Sequence, residues 1–310
     1  MKDLLILAAL ALASGPLAAQ EPEVSATPEM NLWQAGVLGI VEGLTEYLPI
    51  SSTGHLIVTQ RFLGIPMDTP ERKQAADAYA ISIQGGAILA VLGLYFPSVR
   101  RMALGLLGRD PEGLRLALAL VVAFLPAVAI GLAFNHIIKE YLFGLWPVVM
   151  AWIVGGILIL VLARKPKAEE LGESGTLPVP TLRQSLLIGL FQCVAMWPGT
   201  SRSLMVIVGG LLVGLSMRRS VEFSFLLGLL TLGAATCKDA VEFGPLMLAT
   251  YGWGSLLVGG LAALISAVFA VKWMVGYLNR HGLQLFGWYR IAVGLLVASL
   301  IWAGWFEGLA

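Results

Sequence analysis

"VEGLTEYLPISSTGHLIV", Val41 to Val58, places Glu42, Glu46 and His55 inside an apolar stretch of the chain. Of its 310 residues 58% are hydrophobic and only 13% charged, with a mean hydropathy of +0.84. Soluble domains carry roughly 25% charged residues, so this composition specifies an integral membrane protein. A formal net charge of +1, without a concentrated basic patch, excludes a nucleic-acid partner. Cys193 and Cys237 lie in apolar runs, lack the spacing of a zinc site or disulfide framework, and read as packed thiols.

Working outward from that stretch, six apolar segments approach the roughly 20 residues needed to cross a bilayer. They cover about 78–96, 115–134, 146–163, 220–236, 251–274 and 285–303. Two regions depart from this template. Leu32 to Leu48 has helical period but stops at Pro49, and Ser52 to Gly64 is too short to span. Leu182 to Trp197 stops in the same way at Pro198, followed by Thr200 to Gly214. Both read as broken helix pairs.

The two broken regions align. "QAGVLGIVEGLTEYLPISSTGH" lies over "QSLLIGLFQCVAMWPGTSRSL", with Gly39 on Gly189 and Glu42 on Gln192. After one gap, Pro49 falls on Pro198 and Ser52 on Ser201, and downstream "YAISIQGGAILAV" lies over "FSFLLGLLTLGAA". Each unit holds one broken pair and three spans. Three is odd, so the second unit inserts upside down. The expected fold is therefore all-α: a polytopic membrane protein with six transmembrane helices and two re-entrant broken-helix pairs in an inverted-topology repeat. One membrane domain covers 31–305, with repeat one at 31–165 and repeat two at 181–305. Such repeats place their site near the bilayer midplane, where unwound backbone lines a cavity.

Ahead of this domain, residues 1–19 have the layout of a secretory signal peptide, with an uncleaved anchor as the alternative, and 20–30 read as a polar linker. If the broken pairs return to the side they entered, Arg100, Arg101, Arg109, Arg115, Arg164, Lys165, Lys167, Arg183, Arg218, Arg219, Lys272 and Arg280 share one side. Arg72, Lys73, Lys139 and Lys238 share the other. The first side is then cytoplasmic and both termini are periplasmic.

Glu42 and Glu46 are one helical turn apart on one face. Ser51, Ser52 and Thr53 are natural N-cap residues for the next helix, which leaves His55 in its first turn. In the second repeat Pro198 and Gly199 end one helix, Thr200 and Ser201 cap the next, and Arg202 occupies its first turn. An intramembrane arginine faces a partner or a wet cavity. Two helix N-termini, several hydroxyls and a guanidinium make an anion site suited to phosphate. Carboxylates beside a phosphate repel it unless a divalent cation lies between them or one keeps its proton. The bland alternative pairs the glutamates with Arg202 or His55 in a transporter core. His136 and His281 fall in loops and read as solvated, while Arg290 either snorkels or reaches the site.

"EGLTEYLPISSTGH" and "PGTSRS", with "IQGGAILAV" and "FSFLLG", resemble the undecaprenyl-diphosphatase family of bacitracin-resistance proteins. The resemblance implies a bacterial inner-membrane enzyme that removes one phosphate from undecaprenyl diphosphate, recycling the lipid carrier of peptidoglycan synthesis and countering bacitracin. Its first motif maps onto Glu42, Glu46, Ser51, Ser52, Thr53 and His55, and its second onto Pro198, Gly199, Thr200, Ser201, Arg202 and Ser203. Three departures stand out: Leu204 where glycine usually follows "SRS", Gly85 in place of a larger apolar residue, and no proline beyond "FSF". The "PSGH" class of lipid phosphatases is rejected, because no histidine follows Arg202 before His281.

On this reading Glu46, Ser52, His55 and Arg202 are catalytic, with Ser52, His55 or water as nucleophile. Ser51, Thr53, Gly199, Thr200, Ser201 and Ser203 bind substrate. Glu42 and Glu46 hold Mg2+ or Ca2+, or one of them accepts a proton. Expected partners are undecaprenyl diphosphate, membrane lipid and a second copy in a homodimer, with the site opening to the periplasm. The rival function is a transporter or flippase for a phosphorylated lipid or small anion.

Overall fold

A computed structural model describes residues 29–142, 144–162 and 179–306. The expected signal peptide at 1–19 and all of the linker up to residue 28 lie outside the described residues, as do Arg164, Lys165 and Lys167. Among the described residues the structure is helical throughout, without strands. The first half contributes α1 (Leu32–Thr45), α2 (Ser52–Phe62), α3 (Pro70–Leu94), α4 (Phe96–Leu106), α5 (Pro111–Leu142) and α6 (Leu145–Leu162). The second contributes α7 (Leu182–Val194), α8 (Arg202–Leu212), α9 (Met217–Glu242), α10 (Gly244–His281) and α11 (Gln284–Trp302).

Six of these helices, α3, α5, α6, α9, α10 and α11, are long and apolar enough to cross a membrane. Four of them, α3, α5, α9 and α10, run well beyond the apolar segments read from the sequence. Helix α3 starts at Pro70 because Thr69 caps it, accepting from Arg72 N, with proline in the first turn. Helix α5 continues to Leu142, so His136 stands on a helix and not in a loop; His281 is likewise the last residue of α10.

The short helices form two matched hairpins. Asn31 and Gln34 make a capping box at the start of α1, as do Thr181 and Gln184 at the start of α7. Gln34 Nε2 then donates to Leu63 O (2.9 Å) beyond α2, and Gln184 Nε2 donates to Val213 O (3.0 Å) beyond α8. Each pair therefore has its two ends tied together and its tip far away. At 1.5 Å per residue the 14 residues of α1 reach only about 21 Å, short of a bilayer core of about 30 Å.

Packing exchanges partners between the halves. Helix α1 lies along α10, and α7 lies along α5. Small residues permit this: a Cβ on Gly39 would sit 2.1 Å from Gly259 O, and one on Gly189 would sit 2.4 Å from Ala123 O. Close approach at small residues is the usual source of helix association where lipid removes the hydrophobic driving force. Helix α10 breaks at Gly252 (φ 74°, ψ 165°), so its first turns match the short helix α4 of the other half. Cys193 is half-buried and donates to Gly189 O, whereas Cys237 is exposed, because its face of α9 turns outward; the packed-thiol reading fails there.

Candidate active site

The hairpin tips meet. Ser51 (φ 74°, ψ 101°) and Ser201 (φ 77°, ψ 115°) are the N-caps of α2 and α8 and the non-glycine residues with positive φ among those described. Such conformations are strained and persist where surrounding structure holds them. Trp152 Nε1 donates to Ile50 O (2.8 Å) and holds the first tip. Ser203 Oγ donates to Leu48 O (2.9 Å), joining the second tip to the first. These two serines are 150 residues apart, the same offset as Glu42 and Gln192. No gap is needed, and the counterpart of Ser52 is Arg202 and not Ser201.

Arg290 completes the junction. It is wholly buried on α11, and its guanidinium donates to Pro49 O (3.2 Å), Gly199 O (2.8 Å), Ala151 O (2.8 Å) and Trp152 O (3.4 Å). One side chain therefore ties both tips to α6. Sequence reading left it undecided because the acceptors are backbone carbonyls up to 241 residues away.

A cavity of about 360 Å³ lies at the junction, lined by Glu46, Ser51, Ser52, Thr53, Gly199, Ser201 and Arg202, all expected from sequence. Ser52 donates to Glu46 Oε2 in a short hydrogen bond, and Arg202 Nη2 bridges to Glu46 Oε1 at 3.1 Å. Arg202 Nη1 is fixed on Ser224 O (3.0 Å), its face lies over the Tyr47 ring, and its buried Nε has no protein partner. A nucleophile-type hydroxyl, a carboxylate base and a guanidinium with a free donor thus form one chain across the two tips.

Four expected residues do not line this cavity. His55 stacks on Tyr289 and meets Trp152 edge-on; its Nε2 pairs with Tyr289 Oη (2.9 Å) and its Nδ1 with Ser51 O (2.6 Å). Thr200 and Ser203 are buried in the junction behind it. Glu42 is fully buried one turn from Glu46, and neither carboxylate oxygen has a hydrogen-bond partner. Leu204 is buried in the core with Tyr47 and Phe225, so its departure from the motif faces away from the cavity.

Other lining residues carry no site role in the sequence reading: Gln84, Gln192 and Thr231, with Ala127, Ala195, Met196, Leu232 and Ala235 forming an apolar wall. Gln84 Nε2 reaches Glu46 Oε2 at 3.3 Å. Its place in "IQGGAILAV" was a signal; its contact was not.

Among the described residues no three or more His, Cys, Asp or Glu side chains gather as a cation cage. Mg2+ characteristically takes one or two carboxylates and completes its shell with substrate phosphate and water. Of this pair Glu42 carries both unpartnered oxygens, while those of Glu46 are bonded to Ser52, Gln84 and Arg202, so a shared cation would take Glu42 directly and Glu46 in exchange for one of those contacts.

The match to known proteins spans both hairpins. The family model described as "Bacitracin resistance protein BacA" matches residues 35–296. A Sorangium cellulosum protein named "Undecaprenyl-diphosphatase" is 46% identical over 273 residues, covering 87% of each chain. "Undecaprenyl-diphosphatase 2" of Rhodospirillum rubrum is 42% identical, covering 88% of this chain and 96% of its own. An "Undecaprenyl-diphosphatase" of Aquifex aeolicus is 41% identical, over 87% of this chain and 98% of its own. With a matching family model from α1 into α11 and two motifs that fold onto one cavity, this chain belongs to the BacA family of bacitracin-resistance proteins.

Proposed function

We propose that this protein is an undecaprenyl-diphosphatase, a multi-pass bacterial inner-membrane hydrolase that converts undecaprenyl diphosphate to undecaprenyl phosphate and inorganic phosphate. The reaction returns the lipid carrier to peptidoglycan synthesis and removes the diphosphate that bacitracin sequesters. The observation that carries the reading is the Ser52–Glu46–Arg202 chain, drawn from both tips into one cavity.

Ser52 Oγ attacks the terminal phosphorus, and its proton passes to Glu46. The bond from that phosphorus to the bridging oxygen breaks, and undecaprenyl phosphate leaves. Water then adds hydroxyl to the phosphorus, its bond to the Ser52 oxygen breaks and inorganic phosphate leaves, the proton on Glu46 returns to that oxygen, and the proton given up by water leaves to solvent. Arg202 Nε meets the charge that develops on the phosphoryl oxygens, the main demand of phosphoryl transfer. The engagement of both His55 nitrogens supports Ser52 as the nucleophile and gives His55 the task of holding the carbonyl of the strained turn that presents it. In the alternative to Glu46 acting as base, Glu42 and Glu46 would together hold a divalent cation, Mg2+ or Ca2+, whose chemistry is to neutralise phosphate charge.

Release of phosphate from a prenyl diphosphate by the purified protein in detergent tests the activity; binding without release would return the site to a transporter. Acid quench with a labelled terminal phosphate should leave label on Ser52, and unlabelled enzyme at all times would replace Ser52 by direct water attack. Both termini lie on the periplasmic side, toward which the cavity opens, so a reporter active only in the cytoplasm stays silent when fused after Ala310. A bright signal would reverse this orientation.

A further inference from the structure

We infer that Gln192 is a substrate-contacting residue that holds the phosphate remaining on the lipid; this rests on the phosphatase reading above. Gln192 is 4% exposed, and neither Oε1 nor Nε2 has a hydrogen-bond partner, yet it lines the cavity with Ser52 and Arg202. Buried amides are almost always paired, because desolvating them without a partner is unfavourable. An occupant of the cavity supplies the missing partner.

The chemistry of that occupant follows from the duplication. Gln192 is the counterpart of Glu42, one turn before the tip, and exchanges a carboxylate for a carboxamide. An acid there would repel phosphate, whereas the amide presents two N–H donors. Its location assigns which phosphate it meets. Gln192 shares α7 and the turn after it with Ala195 and Met196, which form the apolar wall with Ala127, Leu232 and Ala235. Ser52 and Glu46 belong to the other tip. With the terminal phosphate at Ser52 and the prenyl chain on the apolar wall, the lipid-borne phosphate lies between them, beside Gln192. The contact therefore survives in the monophosphate product.

Farnesyl diphosphate as substrate, with farnesyl phosphate and inorganic phosphate as inhibitors, separates the roles. Gln192→Ala should raise KM for the diphosphate and Ki for farnesyl phosphate by the same factor, roughly 10-fold, the loss of one hydrogen bond to a charged group. The Ki for inorganic phosphate should stay unchanged and kcat should fall far less than kcat/KM. Gln192→Glu, of the same shape, should raise both constants further through like-charge repulsion. An unchanged Ki for farnesyl phosphate, or a loss confined to kcat, overturns the inference and makes Gln192 a packing or reacting-centre residue. Heat stabilisation of each variant by farnesyl phosphate gives the same comparison without turnover. If wild-type protein binds farnesyl phosphate but releases no phosphate from the diphosphate, the phosphatase reading falls while this binding comparison still decides Gln192.

Discussion

The two hairpin tips share a backbone and divide the chemistry. Their capping boxes, positive-φ serines and closing glutamine bonds recur 150 residues apart. The side chains that matter do not recur: Glu42 and Glu46 stand where the other tip has Gln192 and Met196, and Ser52 stands where it has Arg202. The duplication makes a symmetric scaffold, and the halves diverge so that the carboxylates and Ser52 stand on one tip and the Arg202 guanidinium on the other. Neither tip is a site alone. A carboxylate and hydroxyl without Arg202 would repel a phosphate, and Arg202 without Glu46 would be a buried guanidinium lacking its counter-ion.

Removing the base from the first tip should have the largest effect. Glu46→Gln keeps the shape but cannot accept the proton of Ser52, so phosphate release should fall by about 10² to 10⁴, the usual worth of a positioned base. Retained turnover would shift the acid–base role off this tip. In the second tip Arg202→Lys keeps charge and loses the fork, and should lower turnover about 100-fold or more, since one preorganised donor is worth about 2.7 to 4 kcal/mol. Prenyl diphosphate binding should weaken less; near wild-type turnover would reduce Arg202 to a packing residue.

Each arginine also rests against a glycine, which offers a sharper contrast. A Cβ on Gly228 would come 2.6 Å from Arg202 Nη1, and one on Gly155 would come 2.3 Å from Arg290 Nη2. Gly228→Ala should displace the end of Arg202 and lower turnover roughly 10-fold with little change in melting temperature, as a lost charged hydrogen bond would. Gly155→Ala should instead lower the melting temperature, because Arg290 holds both tips and cannot move without releasing their carbonyls. Equal effects of the two on stability would erase the distinction between a reacting and a joining arginine.

The cation expectation is tested on Glu42. If Glu42 and Glu46 share a divalent ion, Glu42→Gln weakens apparent metal affinity, and added Mg2+ or Ca2+ restores part of the rate. No restoration at any concentration removes the cation. The smallest effect is expected at the strained serines. Ser51 makes no side-chain cap bond, so Ser51→Gly should raise stability by about 1 kcal/mol by relieving positive φ. Ser201 Oγ pairs with Ser203 Oγ (2.9 Å) and accepts from Leu204 N (3.3 Å), so Ser201→Gly should show no such gain in thermal unfolding.

Local information in the chain determined much of this protein. Apolar runs, proline stops and cap residues are short-range signals, so the six spans, the two hairpins and their duplication were readable from residue order. Glu46, Ser52 and Arg202 were readable too, since each lies beside a helix break. Tertiary structure alone decided which groups share the cavity. The contact of Gln84 with Glu46, the reach of Arg290 to Pro49 and Gly199, and the engagement of His55 by Tyr289 join residues 38 to 241 positions apart. The tertiary structure also sets Ser51, and not Ser52, against Ser201. Such pairings depend on how closely helices approach, as they do at Gly39, Gly43 and Gly189. That distance depends on two surfaces at once, and no single segment of sequence contains both.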